Sequence, residues 1–139
     1  MKKILSILAL CASLLTFSSC GEKVEELPLN IVGTWNLSGI QTKAATLAGQ
    51  TIDIYVTFNE DNTFQLYQKI GQGRFTAYSG TWSLLETTLD GKYSDGTVWG
   101  TSYQVSQNDD RTTLTLSSAG EDYNYVKGQI PADIDKQLK

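Results

Sequence analysis

Two cysteines, fifteen carboxylates and a scatter of aromatics are the residues of this 139-residue chain that could do chemistry, and histidine is missing altogether. Without an imidazole, serine and cysteine lack their usual general base, and no Gly-x-Ser-x-Gly elbow stands in the sequence. The carboxylates gather at Asn59-Glu60-Asp61, Asp109-Asp110 and Glu121-Asp122. All three read as turns, where Asp and Asn belong for backbone reasons. None has the spacing of a calcium loop of about 12 residues. Asp53 and Glu86 fall on outward positions, so no carboxylate pair is expected across a cleft at the about 5–9.5 Å that glycoside hydrolysis needs. The chemistry expected is therefore that of a non-enzyme, with no catalytic residue, no metal and no cofactor.

One cysteine stands apart. Lys2 and Lys3 precede an apolar stretch from Ile4 to Phe17, and Phe17-Ser18-Ser19-Cys20-Gly21 closes it. A basic start, an apolar middle and a small-residue end make the layout of an export leader. The run is shorter than the about 20 apolar residues that span a bilayer. An ordinary signal cut would leave Cys20 as a lone thiol in an exported protein, an awkward outcome. The closing residues resemble a lipobox, where bacterial lipoproteins are cut and the new N-terminal cysteine is acylated. That resemblance implies residues 1–19 as leader, Cys20 as the lipidation site, and a membrane as partner through several acyl chains. One chain alone holds only reversibly. Gly21 in place of an aspartate implies the outer membrane of the cell envelope, facing the periplasm or the surface. Glu22-Lys23-Val24-Glu25-Glu26 reads either as an acidic surface-export tag or as a solvated tether.

Without Lys2 and Lys3 the balance is nine basic to fifteen acidic residues. Such acidity argues against nucleic acid, where a basic patch carries most of the affinity, and against electrostatic docking on anionic lipid. The length suits one domain. Cys11 goes with the leader and Cys20 is taken by lipid, so no disulfide is expected. The domain must rest on its hydrophobic core.

Residues 20–30 read as a tether, and 31–139 as the domain. From Ile31 the chain becomes short alternating runs with turn residues between them, the pattern of an all-β sandwich or barrel. Strands are expected at Ile31–Ile40, Thr51–Phe58, Thr63–Ile70, Arg74–Leu85, Leu89–Tyr93, Thr97–Ser106, Arg111–Ser117 and Asp122–Gly128. Residues 41–50 read as a longer connection. Ile52, Ile54, Val56 and Phe58 alternate with Asp53, Tyr55 and Thr57, which predicts one buried face. Phe75, Tyr78, Trp82 and Leu84 mark the fourth run, in which Gly80 suggests a bulge or bend. Ser94-Asp95-Gly96 is a hairpin signal. Ile130, Ile134 and Leu138, spaced at four, predict a short terminal helix. An up-and-down antiparallel meander of about eight strands closes most naturally into a β-barrel, which removes its edges.

Gly33-Thr34-Trp35 places a Gly-x-Trp element on the first strand. With Thr57–Phe64, Ser79-Gly80-Thr81-Trp82, Tyr103-Gln104-Val105 and Thr113–Leu116, it resembles the small lipocalin-like lipoproteins of bacterial envelopes over roughly residues 31–128. The resemblance implies that Gly33 and Trp35 plug the closed end of the barrel. Lipocalins usually pack a late arginine over that tryptophan, and here Arg111 or Lys127 is the candidate.

The remaining candidates are aromatic. Trp82 and Trp99, with Tyr78, Tyr103, Tyr123 and Tyr125, offer stacking surface and polar handles for a small ligand at a pocket mouth. Ordinary strand packing is the other reading. Gln68 shares a face with Phe64, Leu66 and Ile70, and so must sit near a barrel end or face a ligand. Two roles follow: a barrel that binds a small apolar or amphipathic molecule, or a solid barrel whose loops inhibit an enzyme or serve an envelope protein complex.

Overall fold

The computed structural model describes residues 28–42 and 50–139, and for residues 40–42 the backbone alone. The leader, Cys20, the acidic stretch 22–26 and most of the expected connection 41–50 lie outside the described residues. Eight strands are described: β1 Gly33–Thr42, β2 Ile52–Phe58, β3 Thr63–Ile70, β4 Thr76–Leu85, β5 Thr88–Tyr93, β6 Tyr103–Gln107, β7 Thr113–Ser118 and β8 Glu121–Lys127. Each pairs antiparallel with the next, and β8 pairs back onto β1, so the sheet closes into a barrel.

Alternation sets the inward face, as the sequence predicts for β2. Ile54, Val56 and Phe58 point into the main core with Phe64, Leu89, Val105, Leu114, Leu116 and Tyr125. One end of this interior is packed solid. Trp35 is fully buried there, and its indole N–H donates to the Ile31 carbonyl at 2.7 Å. Residues 28–32 cross that end. Asn30 N–H donates to Gln107 Oε1 and Gln107 Nε2 donates back to the Asn30 carbonyl, both at 2.8 Å, while Arg111 donates to the Pro28 carbonyl at 2.9 Å. We call this the closed end. The β3–β4, β5–β6 and β7–β8 connections lie at the other, open end.

Three of the turns use one device. In Asp61-Asn62-Thr63, Asp95-Gly96-Thr97 and Asp110-Arg111-Thr112 the aspartate accepts the backbone N–H two residues on. The middle residue has positive φ in each, 64° at Asn62, 92° at Gly96 and 56° at Arg111. These are Asx turns, and they give the aspartates of the Asn59-Glu60-Asp61 and Asp109-Asp110 clusters structural work.

Several expectations are corrected. β1 begins at Gly33 rather than Ile31, and β6 at Tyr103 rather than Thr97. The Ser94-Asp95-Gly96 turn does form, with Tyr93 N–H donating to the Thr97 carbonyl at 2.7 Å, but the ladder beyond it is a single bridge, Lys92 to Val98. Further along, β5 and β6 pair only at Thr88–Gln104 and Leu89–Tyr103. Gly80 carries no bulge. It stays in register with Phe64 and Tyr93, and a Cβ there would meet the Lys92 carbonyl at 2.0 Å, so it serves close strand approach. The bulge lies in β1, between Leu37 and Gly39. Glu121 and Asp122 open β8 instead of forming a turn.

Phe75 precedes β4 and faces outward. With Tyr67 and Ile134 it makes a second buried cluster on the outside of the barrel, against Tyr55, Ile130 and Leu138. The predicted terminal helix is a four-residue 3-10 turn, Ile134–Gln137. The chain beyond it is pinned by Phe75 N–H to the Gln137 carbonyl at 2.9 Å and Lys139 N–H to the Phe75 carbonyl at 3.1 Å. Apolar residues at every fourth position are satisfied here by a strap over an outer sheet face.

Candidate functional site

Above the packed end the barrel holds a cavity of about 700 Å³ that opens between the connections of the open end. Phe58 and Val56 form its floor, and Ile54, Leu66, Leu116 and Tyr125 its lower walls. This is the size class of pockets that enclose a small molecule, and the mix of apolar walls with a few polar groups is typical of them.

The upper wall is aromatic. Ring centroids link Tyr78 to Tyr93 at 5.8 Å, Tyr93 to Phe64 at 6.0 Å, and Phe64 to Trp99 at 5.2 Å. The chain of rings continues from Trp99 to Tyr103 at 6.1 Å and from Tyr103 to Tyr123 at 6.2 Å. Edge-to-face and tilted contacts at these spacings stabilise aromatic pairs beyond their burial. The belt draws on β3, β4, β5, β6, β8 and the β5–β6 connection, so it ties together the part of the wall where β5 and β6 diverge.

Trp99 fills that divergence. Its backbone N–H donates to the Gly91 carbonyl at 2.9 Å, and a Cβ on Gly91 would meet the indole at 2.2 Å. Glycine is therefore what lets the indole lie against β5. The Trp99 indole N–H is buried and finds no protein acceptor. Trp99 thus lines the cavity with its ring, while its N–H is sealed off and left unpaired.

Of the sequence candidates, Gln68, Tyr78, Trp99, Tyr103 and Tyr125 line the cavity, as does Tyr123. Gln68 stands in register with Ile54 and Thr76 on the inner face. Trp82 does not line it. It is four residues along β4 from Tyr78, about 13 Å at 3.3 Å per residue. There it packs edge-on to Phe58 at 5.6 Å, and its indole donates to the Thr63 carbonyl at 3.0 Å. Gly33 and Trp35 sit at the closed end, where Lys127 Nζ lies 5.2 Å from the Trp35 ring centre. Lys127, and not Arg111, thus covers the tryptophan. Sequence reasoning missed Tyr93 and Asp95 as lining residues. The alternation Leu89, Gly91, Tyr93 carried the signal for Tyr93.

The electrostatics of the mouth are acidic. Asp95 lines it, and its carboxyl is held below the usual range by the Thr97 N–H and hydroxyl. Glu121 accepts the Tyr123 hydroxyl, a bond that, with burial, pushes the phenol up to about 12. Burial also raises Tyr93, Tyr103 and Tyr125, Tyr125 most. These phenols stay protonated as neutral donors. Among the described residues no lysine or arginine lines the cavity, and no three His, Cys, Asp or Glu side chains converge on a metal-sized site.

Comparison with known proteins agrees with this architecture. The family model for a lipocalin-like domain matches residues 31–127. A crystal structure of an uncharacterized protein from Bacteroides eggerthii is similar in fold, with a TM-score of 0.54 at 14% identity, covering 71% of this chain and 100% of that one. No curated protein matches this chain.

Proposed function

We propose that this chain, which belongs to the lipocalin-like domain family, is an envelope lipoprotein whose barrel binds a small apolar or amphipathic molecule. The observation that carries the reading is the cavity of about 700 Å³ behind its aromatic belt. A solid interaction barrel would fill that space with side chains, since eight strands enclose just enough room to do so. Gln68 and the lining tyrosines supply the polar handles that such a ligand needs for orientation.

Anchoring is read from Cys20. Among the described residues no helix is long and apolar enough to cross a membrane. The chain that leads from Cys20 joins the barrel at residues 28–32, which cross the closed end, and the mouth lies at the opposite end of the barrel.

Native mass spectrometry of the protein released gently from its own host membranes tests the binding role. A reproducible small-molecule adduct that disappears on denaturation is expected. A bare mass with other envelope proteins co-purifying would favour the interaction role instead.

A further inference from the structure

We propose that the cavity selects an apolar-bodied ligand with a cationic head and discriminates against carboxylate amphiphiles; this rests on the cavity-binding reading above.

Three independent features converge. First, Tyr78, Tyr93, Trp99, Tyr103 and Tyr123 line the upper wall, and the buried Phe64 behind them links the two groups of rings. Aromatic faces carry negative quadrupole charge and attract cations, ammonium groups above all. Second, the charged groups at the mouth are acids. Asp95 lines it, and Glu121 accepts the hydroxyl of the lining Tyr123. Third, among the described lining residues no lysine or arginine faces the cavity. Two nearby cations are engaged elsewhere: Lys69 pairs with Asp53 at 3.0 Å on the outer face, and Lys127 covers Trp35 at the closed end.

A carboxylate entering this space would lose its water and meet no cation among the described lining residues. Desolvating a charge without a partner is strongly unfavourable. It would also approach two acids of its own sign. A quaternary ammonium head meets the opposite conditions, with rings to enclose it and Asp95 and Glu121 to balance it. The ligand body can still present an uncharged polar group to Gln68.

The test uses the mature lipidated chain in nanodiscs of an uncharged glycosyl-diacylglycerol, with empty nanodiscs subtracted. Three probes share one naphthyl body: (1-naphthylmethyl)trimethylammonium, 1-naphthalenemethanol and 1-naphthylacetate. Isothermal titration is expected to rank the ammonium first and the acetate last. The two should differ by about a hundredfold, because one acid near 6 Å at an effective dielectric of about 40 favours the cation by about tenfold and disfavours the anion by as much. The gap should narrow in high salt. It should also narrow in Glu121→Gln, with Asp95→Asn as the second variant if the first fails to fold. Equal affinities, or a tighter acetate, would overturn the charge selection while leaving the cavity a binding site. Binding of none of the three would overturn both.

Discussion

The Lys127 ammonium sits 5.2 Å from the centre of the fully buried Trp35 ring, with its stem beside Gly33. The three residues close one end of the barrel in layers. Trp35 fills it, Lys127 lids it, and Gly33 leaves room for the lid. A Cβ on Gly33 would lie 3.3 Å from Lys127 Cε, and the backbone there has φ of 130°. The layers should separate energetically. Trp35→Ala should cost about 3–5 kcal/mol as a truncated core aromatic. Gly33→Ala should cost about 1–3 kcal/mol through backbone strain. Lys127→Met should cost at most about 1 kcal/mol, since the cation is exposed. Urea unfolding of the three variants checks the order. A loss below about 1 kcal/mol for Trp35→Ala would show that it is not the plug.

Gly91 and Trp99 make a second dependent pair. Gly91→Ala would push a methyl to 2.2 Å from the indole. The indole must leave the wall, because β5 is held by its ladder to β4 through Trp82–Gly91 and Ser83–Asp90. We expect a stability loss of about 1–3 kcal/mol from overpacking. We also expect a red-shifted tryptophan emission as Trp99 meets water. Unchanged emission would mean that Trp99 does not rest on Gly91.

Much of this barrel is legible in the alternation of its strands, because a period of two admits only two faces and the apolar one must go inside. Ile54, Val56 and Phe58 follow from that rule alone. Phe75 escapes it because a second cover, the strap around Ile134, comes from a segment more than fifty residues away. No local pattern tells which outer face such a strap will bury. Trp82 was misplaced for a related reason: alternation gives the face but not the depth, and depth divides plug from pocket. Trp99 belongs to the site through a glycine in another strand, a complementarity seen only once β5 is folded.

Cys20 tests the anchoring proposal. Cys20→Ser removes the thiol that acylation would use, so the variant should lose incorporation of radiolabelled palmitate and leave the membrane fraction. Continued membrane attachment of the variant would remove the basis for reading Cys20 as the anchor.

The three Asx turns should shape the acid limb of stability. Asp61 and Asp110 are held below the ordinary carboxylate value of 3.8 mainly by the hydroxyls of Thr63 and Thr112, and Asp95 mainly by the Thr97 N–H. A lowered folded pKa means that the ionised form is the one stabilised. The contribution is therefore present above 3.8 and lost as pH falls through the lowered folded values. Replacing all three with asparagine keeps an acceptor in each turn but removes the proton. The urea midpoint of that variant should fall less steeply below about pH 4 than the parent's. Parallel slopes would show that these turns do not carry the acid sensitivity.

The alkaline limb should belong to the cavity. Tyr123 is raised to about 12, first by its bond to Glu121 and then by burial, while Tyr103 and Tyr125 are raised first by burial. For a phenol, a raised folded pKa means that the neutral form is the one stabilised. That stability is complete below the ordinary value of 10 and is lost as pH rises through the folded value, near 12 for Tyr123. Between these limits these three phenols ionise in the unfolded chain and stay neutral in the folded one. Absorbance of phenolate near 295 nm at about pH 11 should therefore be clearly lower for the folded protein than for the same protein in urea. Glu121→Gln removes the carboxylate that holds the Tyr123 proton, so it should shift that phenol down and lift the folded absorbance at the same pH. A folded titration curve that matches the unfolded one would mean that water reaches these hydroxyls freely. The cavity would then lack the desolvated upper wall on which its proposed ligand depends.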